Sequence, residues 1–306
     1  MSTEQSNAAT VKRGSMVSAK RKKIFFYWSI IALPLLQFSV FYLYVNMRSF
    51  TLAFQEYDSG KYIFVGLKNF SKIFSDFKTQ VDLRASVKNS LTLFFWTFIF
   101  GSFGAVLFSY YIYKNFALST LFKIMLYLPH ILGGVVVVVI YRHFVEDAIP
   151  IIFNLEEGLL GNPETQRAAM IFFSIYISFG PRVLVYSSAM SGISDSIIES
   201  AQLDGVNTWQ ELIHIVLPSI WSTFITFMVA SVVGIFTNQM SLYTFYGEKA
   251  PLHLYTFGYY LYRGAKVAKN ADYPYLSAMG LVLTLVAVPI TLFTRWALKK
   301  FGPSRE

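Results

Sequence analysis

The sequence predicts an all-α integral membrane protein with six transmembrane helices. Of its 306 residues, 55% are hydrophobic, 18% are aromatic and only 14% are charged, whereas soluble domains carry about 25% charged residues. The mean hydropathy is +0.48, and the hydrophobic residues gather in six runs of membrane-spanning length. The chain has no cysteine, which excludes disulfide bonds and thiolate metal sites.

The six predicted spans cover residues 24–45, 90–113, 124–141, 168–190, 219–245 and 276–294. They form one domain, 24–300, between a basic N-terminal tail, 1–23, and a C-terminal tail, 301–306. Basic residues cluster before the first span and after the sixth, which places both termini in the cytoplasm. The net charge of +9 is therefore attributed to membrane anchoring, and no nucleic-acid partner is expected. The first run is too long for a signal peptide and lacks a cleavage site, so it is expected to remain as a span.

Three long polar segments lie on the outer side of the membrane in this topology. Residues 46–88 include an apolar stripe typical of a short amphipathic helix, formed by Leu67, Phe70, Ile73 and Phe74. Residues 143–167 form an acidic loop whose carboxylates are spread out and show no metal-ligand spacing. Residues 246–275 combine aromatic and basic side chains, which indicates a helix at the membrane interface.

The segment 194–218 lies on the cytoplasmic side, between the fourth and fifth spans, and has a regular pattern. Ser196 with Glu199, and Thr208 with Glu211, have the spacing of capping boxes, which predicts two helix starts. Gly205 lies between them, where a left-handed residue would end the first helix. The second helix carries one apolar face, made of Trp209, Leu212, Ile213 and Val216. Two short helices that meet at a glycine elbow are therefore expected.

This segment resembles the EAA loop of permease subunits in type I ATP-binding-cassette (ABC) importers. The family pattern is Glu-Ala-Ala, then a glycine, then Ile-x-Leu-Pro, and its matches here are Glu199, Ser200, Ala201, Gly205, Ile215, Leu217 and Pro218. Ser200 departs from the pattern by replacing the first alanine. Asp204 before the glycine, and the segment Val-Gly-Leu-Lys-Asn-Phe at 65–70, resemble the carbohydrate-uptake branch, to which maltose and oligosaccharide permeases belong. The resemblance extends over residues 24–300.

The resemblance implies the type I importer permease fold and a role in carbohydrate uptake, with an oligosaccharide as the expected substrate, in a bacterial plasma membrane. It implies that loop 194–218 docks into a cleft of an ATPase subunit and passes the closure of that subunit to the spans. The implied partners are a second homologous permease, a dimer of ABC ATPase subunits, an extracellular solute-binding protein and membrane lipid. This chain has no G-x-x-x-x-G-K-[ST] loop. It is therefore expected to be no enzyme and to bind no cofactor, with ATP and Mg on the ATPase.

The fourth span contains Gly180-Pro181-Arg182, which places an arginine inside the membrane. A charge at the centre of a span costs about 2.5–3.5 kcal/mol on insertion scales, so Arg182 is expected to face protein or water. One interpretation is a cationic fork that binds an anion or sugar hydroxyls in the pathway. The other is a structural role, with backbone carbonyls, a partner-subunit carboxylate, or snorkelling toward the cytoplasm. Relatives generally have an uncharged residue here, so the resemblance assigns neither role.

The fifth span carries no charge but has a polar stripe that includes Asn238, Gln239 and Tyr243. Asn and Gln offer both a donor and an acceptor to sugar hydroxyls, and in the family residues of this helix line the translocation cavity. These three residues, with Arg182 and Tyr186, are the candidate pathway residues. The alternative is a stripe that binds a helix of the partner permease.

Three other functions are weighed against carbohydrate uptake by an ABC importer. An ABC importer of a non-sugar solute is disfavoured by Asp204-Gly205 and by the 65–70 segment. An ion-coupled secondary transporter would need carboxylates inside the membrane, and no predicted span contains one. An enzyme acting on lipid-linked sugars would need acidic or histidine pairs at the bilayer face.

Overall fold

The long helices of the computed structural model coincide with the apolar runs of the sequence. The structure describes residues 21–303, so 1–20 of the predicted N-terminal tail and 304–306 of the C-terminal tail lie outside the described residues. Helix α1, Arg21–Leu52, contains a wider π-helical segment. It is followed by the antiparallel hairpin of β1, Gln55–Asp58, and β2, Lys61–Phe64, and then by α2, Lys68–Thr79.

The remaining helices run in both directions across the bundle and are joined by short connections. They are α3 (Val81–Tyr113), α4 (Ser119–Ile131), α5 (Gly134–Phe153), α6 (Pro163–Met190), α7 (Asp195–Leu203), α8 (208–219), α9 (Trp221–Thr237), α10 (Leu242–Tyr246), α11 (Phe257–Val267) and α12 (Tyr273–Phe301). In the described part of the chain, five helical stretches are long and apolar enough to cross a membrane, and a bent pair brings the number to six.

The bent pair is the third predicted span, 124–141, which is not one straight helix. Helices α4 and α5 meet at an angle of 114°, because Leu132 and Gly133 have extended backbone conformations between them. The 13 residues of α4 rise only about 20 Å, less than the roughly 30 Å of a hydrocarbon core. Helix α5 then continues to Phe153, so much of the predicted acidic loop 143–167 is helical.

The outer segment 46–88 differs from its prediction in two respects. The β1–β2 hairpin was not expected, and it is fixed by Asn69, whose side-chain amide donates to the carbonyls of Ala53 and Gln55 at 3.0 and 2.7 Å. The predicted amphipathic helix is present as α2, but its apolar stripe is only partly buried. Ile73 is enclosed, whereas Leu67 and Phe74 are exposed.

Two hydrophobic clusters join α6 to its neighbours, and a third packs α12 against α2, α3 and α11. The cluster on the side that the sequence predicts to be extracellular, here called the outer cluster, joins α5, α6 and α10 around Tyr141, Phe173 and Phe245. An inner cluster joins α3, α6, α8 and α9, with Tyr186 and Val216 at its centre. The segment 194–218 is thus packed directly onto the inner ends of three spans. In contrast, the most apolar window of α1 buries none of its residues.

Candidate functional site

The glycine elbow of segment 194–218 forms as its local sequence predicts. Gly205 has φ +77°, a conformation that favours glycine because it has no Cβ. Its N–H donates to Gln202 O at 3.1 Å, and the N–H of Val206 donates to Ala201 O at 3.0 Å. These two bonds form a Schellman motif, which satisfies the last carbonyls of α7. The chain therefore leaves α7 in a fixed direction, and α8 begins three residues after Gly205.

Both predicted capping boxes are wrong in detail. Helix α7 begins at Asp195 after Ser194, without a side-chain cap, so Ser196 and Glu199 lie inside the helix. The second capping box is formed one residue earlier than predicted, by Asn207 and Gln210. Asn207 Oδ1 accepts from Gln210 N at 3.0 Å, and Gln210 Oε1 accepts from Asn207 N at 2.9 Å. An asparagine caps a helix as well as a threonine does.

Glu211 has a different role from the predicted cap, because it is the buried end of an ion pair. Only 3% of this residue is exposed, and its carboxylate lies 2.9 Å from Lys114 Nζ at the inner end of α3. The Tyr110 hydroxyl donates to the same carboxylate at 3.0 Å. A buried carboxylate needs such charge and hydrogen-bond partners. Glu211 therefore fastens α8 to a membrane-spanning helix 97 residues earlier in the chain.

The predicted apolar face of α8 is divided between the core and the surface. Leu212 and Val216 are buried in the inner cluster, whereas 65% of Trp209 and 53% of Ile213 are exposed. Leu203, at the end of α7, is 90% exposed. We define Leu203, Trp209 and Ile213 as the elbow surface. Large apolar side chains held on a rigid turn at the protein surface are typical of an interaction site.

The other residues of the EAA-like pattern fall into two groups. Glu199, Ser200, Asp204 and Gly205 are exposed on the same turn as the elbow surface. Ala201 is buried, and Ile215, Leu217 and Pro218 are half-buried, with Ile215 and Leu217 packed against the inner cluster. One group is thus available to a partner and the other anchors the turn to the spans.

Arg182 lies in the membrane-spanning bundle and is half-buried, eight residues before the end of α6. Its guanidinium donates to Ser231 Oγ at 3.2 Å, to Ser102 Oγ at 3.3 Å and, at the limit of hydrogen bonding, to Thr97 O at 3.5 Å. Gly101 leaves room for it, because a Cβ there would lie 2.7 Å from Nη1. A π-helical turn of α3, Ile99–Gly104, presents both Gly101 and Ser102 to the arginine.

A cavity of about 100 Å³ adjoins the guanidinium between α3, α6 and α9. Its polar lining consists of Thr97, Ser178, Arg182, Ser231 and Asn238. Of the candidate pathway residues, Arg182 and Asn238 therefore meet at one site. The three serine and threonine residues were not singled out from the sequence, since hydroxyl side chains on three separate helices show no common spacing.

The remaining candidate pathway residues do not line this cavity. Tyr186 is fully buried in the inner cluster, where its ring packs edge-on against Phe227 with centroids 5.0 Å apart. Gln239 lies in the break between α9 and α10. Tyr243 packs against Tyr262 of α11 with centroids 5.0 Å apart. Asn238 also caps that break, because its side-chain oxygen accepts from Met240 N at 2.8 Å.

The outer end of α6 is joined to the loop before α11. Arg167 donates to the carbonyl of His253 at 3.0 Å, and burial, together with the charge of Arg167, lowers the pKa of the His253 imidazole. His253 is therefore neutral at neutral pH and contributes no charge to the outer surface. Within residues 21–303, no three His, Asp or Glu side chains are grouped as metal ligands would be.

Comparison with known proteins places these features in a family. Residues 97–306 match the family described as binding-protein-dependent transport system inner membrane component. The arabinooligosaccharides transport system permease protein of Bacillus subtilis (strain 168) is 24% identical over 85% of this chain and 84% of its own length. The polygalacturonan/rhamnogalacturonan transport system permease protein of the same organism is 24% identical over 99% of this chain and 98% of its own.

Solved structures of a bacterial ABC transporter that imports the acidic polysaccharide alginate share the fold. One chain superimposes with a TM-score of 0.74 at 22% sequence identity, covering 94% of this chain and 99% of its own. A second, solved in complex with an alginate pentasaccharide-bound periplasmic protein, superimposes with a TM-score of 0.72 at 23% identity. The bent third span and the helical elbow are thus placed within a known membrane architecture.

Proposed function

The chain belongs to the family of binding-protein-dependent transport system inner membrane components, and we propose that it is a permease subunit of an ATP-driven carbohydrate importer. Two relatives are named for the transport of arabinooligosaccharides and of polygalacturonan/rhamnogalacturonan, which supports an oligosaccharide as the solute. The chain forms half of the pathway through a bacterial plasma membrane. ATP and Mg are held by the separate ATPase, and this chain supplies the path and the point at which force enters.

The elbow surface is the observation that carries this proposal. Leu203, Trp209 and Ile213 project from a turn whose direction is fixed by Gly205, and they fit a cleft in a partner protein. On the other side of the same turn, Leu212 and Val216 are built into the inner cluster, and Glu211 is paired with Lys114. A displacement of the elbow therefore moves the inner ends of α3, α6 and α9 with it.

Topology supports the position of the ATPase. With α4 and α5 counted as one crossing, six crossings return the chain to the side on which it started, and the elbow follows the fourth crossing on that same side. Basic residues lie at both ends of the bundle, Arg21–Lys23 in the first turn of α1 and Lys299–Lys300 in the last turn of α12. The positive-inside rule assigns this side to the cytoplasm, where ATP is available.

We expect the second permease to bind the exposed apolar surfaces of this chain. The exposed α1 and an apolar groove of about 520 Å³ between α9 and α12 suit further helices of a partner in the membrane. The outer hairpin and α2 lie on the face that receives a solute-binding protein. In this assembly, closure of the ATPase dimer pushes the elbows of both permeases together and switches the access of the Arg182–Asn238 cavity from one side of the membrane to the other.

Substitutions on the elbow surface test the proposal. Leu203→Asp and Trp209→Asp place a charge on surfaces that the ATPase would desolvate, and removal of an interface anchor costs about 2 kcal/mol or more. We expect copurification of the ATPase and ATP-dependent oligosaccharide uptake to fall about tenfold or more, with an unchanged amount of permease in the membrane. Ile63→Asp, on the exposed outer hairpin, is the matched control for copurification of the ATPase. Normal copurification of both elbow variants would contradict the assignment.

A further inference from the structure

Arg182 is a cation whose hydrogen-bond partners among residues 21–303 are all neutral. Its hydrogen-bond acceptors are two hydroxyls and one carbonyl, at 3.2–3.5 Å. The ion pairs formed by residues 21–303 are Lys68–Glu56, Lys114–Glu211 and His143–Asp147, and none of them includes an arginine. An arginine with only neutral partners inside a bilayer is costly, whereas Glu211, at the membrane edge, has its counter-ion within 2.9 Å.

The space beside Arg182 matches an anionic group rather than a further helix. The cavity of about 100 Å³ has the volume of about three water molecules. A carboxylate fits into this space, whereas the side chains along one face of a helix do not. Ala230 and Gly234, one turn apart on α9, are small residues of its lining, and Ala230 is exposed. Small side chains keep this part of the cavity open.

The orientation of the guanidinium also fits this interpretation. Arg182 Cζ lies over the ring of Phe227, 5.9 Å from its centroid, and this cation–π contact favours the guanidinium at this place. A carboxylate binds to the edge of an arginine through two parallel N–H bonds of about 2.7–2.9 Å, shorter than those to Ser102 and Ser231. Asn238 and Ser178, in the same lining, offer a donor and acceptors to the hydroxyls of an attached sugar ring.

We propose that Arg182 binds the carboxylate of an acidic sugar residue in the pathway, so that the imported solutes are uronate-containing oligosaccharides. This inference rests on the proposed function and specifies its substrate class. The similar proteins are named for both neutral and acidic saccharides. Arg182 has only neutral partners among residues 21–303, and this favours the acidic class. The contacts to Ser102, Ser231 and Thr97 hold the cation in place between successive solutes.

The test uses the complete transporter in proteoliposomes, with its second permease, ATPase and solute-binding protein. The probes are short oligogalacturonates and oligomannuronates, and the same preparations after chemical reduction of their carboxylates to alcohols. We expect the wild type to import an acidic preparation. Arg182→Gln should lower that import about tenfold or more, the usual effect of losing a hydrogen bond to a charged group, with little change for the reduced sugars.

Two further variants make the test decisive. Arg167→Gln removes an arginine from the outer end of the same helix and should not discriminate between acidic and reduced sugars. Arg182→Lys keeps the charge but loses the bidentate edge of the guanidinium. If Arg182→Gln does not assemble into the transporter, Arg182→Lys is compared with the wild type instead. A larger loss for acidic than for reduced sugars supports the assignment.

Other outcomes overturn it. Equal losses for acidic and reduced sugars would make Arg182 a structural cation, paired with the second permease or with backbone. Import of reduced sugars alone by the wild type would reject the acidic substrate class and leave the carbohydrate importer intact. If the wild type imported no saccharide preparation at all, both the substrate class and the proposed function would fail.

Discussion

Glu211 shows how one residue can connect the elbow with the membrane. Its carboxylate accepts from both Lys114 and Tyr110 on the last turn of α3, and Tyr110 also donates to Thr208 O at 3.2 Å. Both ends of the first turn of α8 are therefore tied to one span. Leu212 and Val216 add apolar contact, but apolar packing is non-directional. The ion pair determines which part of α3 moves with the elbow.

A double-mutant cycle measures this connection. Glu211→Gln leaves Lys114 without its counter-ion, and breaking a buried pair costs about 3–5 kcal/mol. Because Lys114 reaches water in part, we expect a loss near the lower limit, with reduced ATP-driven uptake. The exchange Lys114→Glu with Glu211→Lys should restore part of the stability and part of the uptake. The readouts are thermal unfolding of the purified transporter and uptake per ATP hydrolysed.

Glu56 with Lys68 provides the matched control for that cycle. This pair is also close, at 2.5 Å, but both side chains are largely exposed on the outer side, and exposed pairs contribute only about 0–1 kcal/mol. The same exchange there should leave the thermal stability of the transporter unchanged. An additive cycle at Lys114 and Glu211, without coupling between the two substitutions, would show that packing alone holds the elbow.

At the scale of elements, α1 is the described membrane-spanning helix that buries the smallest share of its residues against the rest of the chain. None of the residues in its most apolar window is buried, and Leu33, Leu36 and Phe41 are among its exposed side chains. Helices in bilayers associate through close packing and not through exclusion of water. An exposed apolar helix is therefore stable in lipid, and it is free to pack against a different chain.

A photo-crosslinking side chain at Leu33 or Phe41 tests the position of α1. In the complete transporter, we expect covalent adducts with the second permease, detected by mass. Membranes that contain this chain without the second permease are the control, and the adducts should be absent from them. If illumination of the complete transporter produced lipid adducts only, α1 would lie outside the interface and the partner would have to bind elsewhere.

The elements that the sequence could predict are those determined locally. The elbow was expected because a left-handed residue and its Schellman bonds involve residues only a few positions apart. Glu211 was misassigned for the opposite reason, since its partner Lys114 is 97 residues away and spacing rules read only neighbours. The angle of 114° within the third span was not predicted, because hydropathy measures a run of residues and not its direction.

The hairpin was visible in the sequence but was overlooked. Ser59 and Gly60, at its tip, both have positive φ, +46° and +91°, which is the requirement of the tight turns that join two strands. Tyr57 and Tyr62 face each other across the strands, with ring centroids 5.1 Å apart. A serine-glycine pair between aromatic residues could have suggested it.

At the scale of the whole molecule, the chain holds the path and the elbow but no source of energy. It has no phosphate-binding loop, and its candidate solute site is a small cavity within one bundle. In the proposed assembly, a second permease completes the path and an ATPase supplies the energy. The function is therefore a property of the assembly, and removal of any partner should abolish net import.

This dependence gives a direct measurement. Proteoliposomes that contain only this chain should accumulate no labelled oligosaccharide, whereas the complete transporter should do so when ATP is enclosed with the ATPase. A sodium or proton gradient across vesicles with this chain alone is the control for an ion-coupled mechanism. Uptake driven by such a gradient would contradict the proposed mode of transport and favour a secondary transporter.

The π-helical turn Ile99–Gly104 in α3 determines where α3 can lose one residue without rotating the rest of the helix. A π turn holds one more residue than an α turn, and the extra residue is absorbed locally, so the helix on either side keeps its phase. Deletion of one residue within 99–104 should thus rebuild an ordinary α turn, displace Ser102 from Arg182 and leave Lys114 facing Glu211. A deletion a few residues later would rotate Lys114 by about 100° and separate the pair. Ser102, which contacts Arg182, and Lys114, which holds the elbow, lie on one helix, yet a deletion can alter the first contact without disturbing the second.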